Sequence, residues 1–301
     1  MAEGFTLVQL RAFMAASTEG SFTAAAAVLS MTQPAASELV RRLEDAYGLP
    51  LFVRAGRRLR RTVAGDELLV WAGQILASAD GADQSLRALR GLEGGTANFG
   101  VLRNASYYFL SDLAERFHLE HPGVQIRLIG QNSVEVAEAV RSGELEAGFA
   151  VLPLDTTGLE VTPLLDDEVL FASADPERLR APMTFAGLAE APLVLYDAHY
   201  GWNDPTRRQL AALAAAEGVQ LEASIEVENV EAALDLVARG LGDTIVSRAV
   251  AASAGFPGGV STVAFATPFH DTVALLRRER QALSPVTQRL VEMAVAMLLR
   301  G

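Results

Sequence analysis

The chain has 301 residues, half of them hydrophobic, which is enough for a small domain plus one or two larger ones with cores of their own. It has no cysteine, and all 25 basic residues are Arg, so disulfides, thiolate metal sites, lysine Schiff bases and P-loop lysines are excluded. The net charge of −12 is unevenly spread: residues 1–92 carry 10 Arg against 9 acids, and residues 93–301 carry 15 against 28.

Met1 to Gly4 has neither the basic nor the apolar region of a signal peptide, and no apolar run approaches the roughly 18 residues that span a bilayer. A cytoplasmic protein with no membrane partner is expected. Thr6 to Ser17 reads as a first helix, with Thr6 and Gln9 as a capping box and Leu7, Leu10, Phe13 and Met14 facing inward. Ser21 caps a second helix with an apolar stripe at Phe22, Ala25, Ala26 and Leu29. After a turn at Ser30-Met31, Thr32 caps a third, and Pro34 is tolerated in its first turn because the amides there lack intrahelical partners. This third helix places Ala36, Leu39, Val40, Leu43 and Tyr47 on one stripe and Gln33, Ser37, Glu38, Arg41 and Arg42 on the other.

Two helices joined by so tight a turn match the helix-turn-helix layout, whose second helix enters the DNA major groove. Past Gly48, Arg54, Arg57, Arg58, Arg60 and Arg61 surround Gly56, as in a wing that grips phosphates or a narrow minor groove. The plain alternative is a solvated Arg-rich loop; its position after a helix-turn-helix favours the wing. Arg41 to Thr62 holds 7 Arg and 2 acids, so the positive charge lies where DNA would need it. The expected DNA-binding set is Thr32, Gln33, Pro34, Ser37, Arg41, Arg42, Arg54, Arg57, Arg58 and Arg60.

Five blocks, in order and spacing, resemble the N-terminal signature of LysR-type transcriptional regulators: Phe22-Thr23-Ala24-Ala25-Ala26, Thr32-Gln33-Pro34-Ala35-Ala36-Ser37, Leu43-Glu44, Gly48-Leu49-Pro50-Leu51-Phe52-Val53-Arg54 and Thr62-Val63-Ala64-Gly65. Arg61 departs from the pattern, where the family usually has an apolar residue. The resemblance implies a regulator that binds a double-stranded DNA operator as a homodimer or homotetramer, answers to a small-molecule effector and is not an enzyme.

Val63 to Leu92 has no proline and, as a helix, would reach roughly 45 Å. Leu68, Ala72, Ile75, Ala79, Ala82, Leu86 and Leu89 recur at heptad spacing along it, the pattern of a dimer seam; a long helix packed on its own domain is the alternative, and the resemblance favours the dimer. Gly91 to Gly95, with three glycines, reads as a hinge. Strand-like and helix-like runs then alternate: Ala97 to Leu102, Tyr107 to His118, Val124 to Ile129, Val134 to Arg141 and Ala147 to Val151, then Leu193 to Tyr196, Pro205 to Glu217, Ala223 to Val227, Val230 to Arg239 and Asp243 to Val246. That is an α/β pattern with mostly parallel strands.

His121-Pro122-Gly123-Val124, Ser142-Gly143-Glu144-Leu145-Glu146 and Leu236 to Gly242 are similar to the effector domain of the same family, with Glu146 in place of its usual Asp and Ser247 in place of a proline. The implied architecture is a winged helix-turn-helix domain over residues 1–62, a linker helix and hinge over 63–95, and an effector domain over 96–301. The last comprises two doubly wound α/β subdomains resembling a periplasmic binding protein, one of residues 96–164 with 268–301 and one of 165–267. Crossing strands are implied near Thr162 to Phe171 and Val260 to Phe265.

Other chemistries find little support. His118, Glu120 and His121 match no standard metal site, Gly240-Leu241-Gly242 follows a helix rather than a strand, no Gly-x-Ser-x-Gly elbow occurs, and none of the four His residues has a motif-level partner. No metal, cofactor or catalytic residue is expected. Doubly wound sheets bind ligands at the C-terminal ends of their strands. The expected effector residues are therefore Asn104, Ser106, Tyr107, Gln131, Asn132, Ser133, Tyr196, His199, Trp202, Asn229, Thr244 and Ser247. Ser106 and Ser133 are expected to begin helices and offer amides to a carboxylate, with an ordinary helix cap as the alternative for each; Arg103 or Arg207 would pair an acid if turned inward, but both are expected to be solvated. An uncharged lining of amides, hydroxyls and aromatic rings suits a small organic acid or an aromatic molecule. A constitutive DNA binder without sensing is the competing reading.

Overall fold

The computed structural model describes residues 4–55, 58–89 and 95–299. Gly56 and Arg57 of the expected wing, and Gly91 to Gly94 with Leu92 of the expected hinge and seam, lie outside them. The chain divides into two compact units, the first built on residues 1–92 and the second on most of the rest.

In the first unit α1 (Leu7–Glu19) opens on the Thr6–Gln9 capping box, with both reciprocal bonds present. Helix α2 (Phe22–Val28) is capped by the Ser21 hydroxyl, and α3 (Gln33–Tyr47) by that of Thr32. Leu10, Phe13, Val40 and Leu43 form the core between them. Tyr47 does not join it: it is 54% exposed, because α3 runs a turn past the core before Gly48 ends it. The wing is an antiparallel pair, β1 (Phe52–Ala55) and β2 (Arg58–Arg61). Phe52 packs against Phe13 and Phe22, and Glu44 accepts hydrogen bonds from the amides of Leu51 and Phe52, tying the end of α3 to the wing. Arg61, the departure from the family pattern, is satisfied by an ion pair with Asp66 at 2.7 Å.

Helix α4 (Val63–Leu89) starts where the Thr62 hydroxyl accepts from the Gly65 amide and donates to the Pro50 carbonyl. Gly65 is required by close approach, since a Cβ there would lie 2.3 Å from the Leu51 carbonyl oxygen. The heptad reading of α4 needs correction. Leu68, Ala72 and Ile75 pack, with Leu69 and Leu76, onto the helix-turn-helix core of their own chain, so the first half of that stripe is already occupied. Among the described residues, the large apolar side chains left exposed on α4 are Val63, Val70, Trp71 and Leu86.

The second unit runs, in order, β3 (Thr96–Leu102), α5 (Leu110–Glu120), β4 (Gln125–Gln131), α6 (Ser133–Ser142), β5 (Ala147–Leu152), β6 (Leu159–Ser173), α7 (Phe185–Ala189), β7 (Leu193–Leu195), α8 (Pro205–Ala216), β8 (Ala223–Glu226), α9 (Val230–Ala238), β9 (Thr244–Ser247), α10 (Arg248–Ala252), β10 (Ser261–Ala264), β11 (His270–Arg278) and α11 (Pro285–Leu298). In the first lobe β3 lies parallel between β4 and β5, and β11 pairs antiparallel with β5. Leu113 and Phe117 of α5 and Leu290 and Ala294 of α11 cover one face over Phe99 and Phe149. Val136 and Val140 of α6 cover the other, close enough that a Cβ on Gly148 would meet Val136 at 2.6 Å. Glu146 accepts from the Ser284 amide and from the hydroxyls of Ser284 and Thr287, holding the start of α11.

The second lobe has the parallel pair β7 and β8, and β9 and β10 flank the far half of β6. Phe171, Phe185, Leu188, Leu210 and Phe265 fill one side, and Val230, Leu234, Val246 and Val250 the other. Strand β6 crosses between lobes, pairing with β11 along its first part and with β10 along its last. The second crossing falls later than expected. Strand β10 stays within the second lobe, and residues 265–270 carry the chain back into β11. Among the described residues no helix is long and apolar enough to cross a membrane.

Candidate functional site

In the first unit, the N-terminal half of α3 exposes Gln33 and Pro34, with Ser37 half-buried, and the Thr32 hydroxyl is committed to its cap. Arg41 and Arg42 are exposed but held. Arg41 donates to Glu38 at 2.8 and 2.9 Å and to Asp45 at 2.8 Å, and Arg42 donates to Glu38 at 3.0 Å. Hydrogen bonds from Arg41 and Arg42 hold the Glu38 carboxyl down to about 2. The wing residues Arg54, Arg58 and Arg60 are exposed and form no ion pair with a described carboxylate. They do not share a face. Side chains alternate along a strand, and the register places Arg58 and Arg60 with Val53, whereas Arg54 lies with Phe52 and Leu59. The wing thus offers free guanidiniums on both faces, and α3 offers neutralised ones.

In the second unit, a cavity of about 50 Å³ lies between the lobes at the C-terminal ends of β3, β4 and β7. Asn104, Gln131, Asn132, Ser133, Tyr196 and Ser247 line it, six of the twelve residues expected there. The Asn132 side chain accepts from the Val134 amide, starting α6, and its amide nitrogen reaches across to Asp197 at 3.0 Å and Asp204 at 2.8 Å. Arg103, at the end of β3, lies 3.1 Å from Asp197 and 3.5 Å from Glu135 and also pairs with Glu228. The cleft is therefore bridged by Asn132 and Arg103.

The other six expected residues lie elsewhere. Ser106 is in a 3-10 turn, Ala105–Tyr107, with its hydroxyl 3.3 Å from Glu231; it does not begin α5, because Phe109 leaves helical geometry before Leu110. Tyr107 packs with the core of the second lobe. His199 is exposed, its backbone amide on Glu228 and its ring against Tyr200. Trp202 stacks under the Arg207 guanidinium, Asn229 is exposed with no side-chain capping bond, and Thr244 is buried inside β9. Ser133 does line the cavity, but Asn132 holds the cap position and the Ser133 hydroxyl accepts from the Val151 amide. Arg207 is not solvated either: it is 2% exposed, bonded to the Tyr196 carbonyl and paired with Glu226.

The expectation of an uncharged lining is overturned, since Asp197, Asp204 and Asp271 face the same cavity. Burial pushes Asp271 up to about 7, with the charges of Asp204 and Asp167 adding to it and the Thr206 hydroxyl opposing. Burial, then the charge of Asp204, lifts Asp197 to about 6 against the Asn132 hydrogen bond and Arg103. Asp204 is raised by burial as well. Tyr108 donates to Asp167 at 2.7 Å and sits 2.9 Å from the Ser247 hydroxyl, and burial raises its hydroxyl pKa too. Asp204 was open to sequence reading as the cap in Asp204-Pro205-Thr206, and Asp197 by its place beside Tyr196. Asp271 gave no such signal: it sits on the return strand, 65 residues from its partner Thr206.

Of the expected non-ligands, His118 lies in the last turn of α5, and the His121 ring packs 4.8 Å from that of Phe117. Among the described residues no group of three or more acids and histidines is placed to hold a metal ion.

The comparisons with known proteins fall on both units. The family model described as a bacterial regulatory helix-turn-helix protein of the lysR family matches residues 7–66, and that of the LysR substrate binding domain matches residues 90–298. The uncharacterized HTH-type transcriptional regulator YeiE of Escherichia coli is 31% identical over 87% of each chain. The regulator IlvR of Caulobacter vibrioides is 29% identical over 78% of this chain and 79% of its own. Among solved structures, full-length OxyR from Pseudomonas aeruginosa superposes with a TM-score of 0.73 at 23% identity, covering 98% of this chain and 95% of that one. Full-length CbnR in complex with its target DNA gives 0.64 at 23% identity, covering 97% and 100%.

Proposed function

The chain belongs to the LysR family of transcriptional regulators, and from that membership we propose that it binds a DNA operator through α3 and the wing, under the control of a small molecule held in the cleft of its second unit. The observation that carries this reading is the pairing of an exposed, polar α3 N-terminus with a wing whose guanidiniums no described carboxylate neutralises. Gln33 and Ser37 then face base edges, and Arg54, Arg57, Arg58 and Arg60 meet phosphates. Two copies act together, because one recognition helix covers too few base pairs to be selective and two-fold symmetry doubles the site. The working partition is residues 1–62 for DNA, 63–95 for linkage and assembly and 96–301 for the effector, and the protein works in the cytoplasm, where chromosomal DNA is.

The experiment is fluorescence anisotropy of the full-length chain on fragments of its own upstream region across a salt series. Replacing Arg58 and Arg60 with Ala should weaken binding to all sequences alike and flatten the log–log salt slope by about two units, since each phosphate contact contributes roughly 0.9. Gln33→Ala should instead relax preference at one base pair, worth about 1–3 kcal/mol. An unchanged slope in the double variant defeats the wing assignment. The constitutive reading requires that no molecule bound in the second unit alters operator affinity; effector control requires a reciprocal change in both affinities.

A further inference from the structure

Among the described residues that line the cavity, Arg103 is the single cation against Asp197, Asp204 and Asp271. Its charge is already divided among Asp197, Glu135 and Glu228, so the residual field in the cleft is negative. A second feature points the same way without involving charge. The Gln131 amide oxygen, on a residue lining the cavity, is fully enclosed and accepts no hydrogen bond from any described residue. Enclosed acceptors without donors are costly, so a turn of the Gln131 side chain that brings this oxygen to an N–H group in the cavity relieves that cost.

We propose that the effector is a small organic cation whose ammonium or guanidinium head is held by Asp197, Asp204 and Asp271, with the Gln131 amide oxygen as a neutral acceptor. The proposal rests on the reading of this cleft as the effector site. A free carboxylate would enter a site already holding three aspartates, where the nearby Arg103 and Arg207 are both already paired with acids, so the small organic acid suggested by the amides and hydroxyls alone is the wrong sign. The size also fits: a water takes roughly 10–15 Å³ of such a cavity, so about 50 Å³ admits a head group of a few heavy atoms, with any tail directed towards the opening. Each carboxylate oxygen keeps acceptor capacity beyond its present bonds, so binding need not break the Asn132 bridge. Burial already disfavours the charged forms of Asp197 and Asp271, and a cation beside them offsets that cost.

The test is calorimetry and thermal shift on the full-length chain with putrescine and agmatine as cations and glutarate and benzoate as acids. Two variants keep the fold: Asp204→Asn, because Asn caps a helix as well as Asp does, and Asp197→Asn, because φ at this position is 61°, a conformation that Asn tolerates. An unchanged far-UV circular dichroism spectrum and a single cooperative melting transition without ligand serve as the control for folding. The expected result is a rise of a few degrees in Tm with a cation, none with either acid, and at least a tenfold loss of cation affinity in each variant. Three results overturn the inference. If an acid binds and Asn132→Ala abolishes its binding, the cleft is the effector site but its ligand is an anion. Cation binding unaffected by both variants places the cation elsewhere. Binding of neither class removes the cationic ligand altogether.

Discussion

Glu38 stands between the two arginines that α3 presents, bonded to both at 2.8–3.0 Å. Such exposed pairs are worth little to stability, but they hold the guanidiniums close to the helix and place a negative charge where phosphates would approach. Glu38→Gln should tighten DNA binding across sequences and steepen the salt slope by about one unit, for the released Arg42, since Arg41 keeps its pair with Asp45, as read by anisotropy. An unchanged slope would mean that Arg42 meets no phosphate. Asp271 sets a pH dependence of the opposite kind to that of an ion-paired carboxylate. Its folded-state pKa of about 7 lies above the ordinary 3.8, through burial first and then Asp204 and Asp167. The folded chain therefore keeps a proton that the unfolded chain has released; the stability this supplies is complete below about pH 4 and is lost as the pH rises through 7. Asp271→Asn keeps an acceptor for the Thr206 hydroxyl and removes the buried charge. Calorimetry should show a raised Tm at pH 8 and little change at pH 4, at roughly 1.4 kcal/mol per unit of pKa difference as an upper scale. No gain at pH 8 would refute it.

At the scale of the element, α4 serves two purposes that its heptad spacing does not separate. Its Leu68, Ala72 and Ile75 face belongs to the first unit's core, whereas Val63, Val70 and Trp71 are uncovered, Trp71 being 55% exposed. Val63 and Val70 are seven residues apart, so with Trp71 they share a face of the helix. Val70→Asp with Trp71→Asp should split the assembly in sedimentation while the helical signal persists; Ile75→Asp should instead unfold the first unit. An intact dimer in the double variant would move the interface off this face. The helix starts in the first unit were legible because capping is local: Thr6 with Gln9, Ser21 and Thr32 each satisfy amides within three residues. The break at Phe109 and the return through residues 265–270 had no comparable local marker, since both are set by what the segment meets across the lobes.

Over the whole molecule, the excess of positive charge lies in the wing, where residues 52–61 hold five Arg and no acid, while residues 93–301 carry 28 acids against 15 Arg. That division directs DNA to one unit and discourages it from the other, and it was visible from the residue order alone. So were the helix-turn-helix, whose stripes and caps act within a few residues, and the α/β alternation, whose periods are local too. The tertiary structure decided which stripe of α4 is free, because a heptad records that a face is apolar and not what covers it. It also decided the sign of the cleft. Asp197 and Asp204 share the connection between β7 and α8, and only the return of the chain into β11 brings the Asp271 carboxylate to the same cavity, where burial rather than sequence context sets its charge.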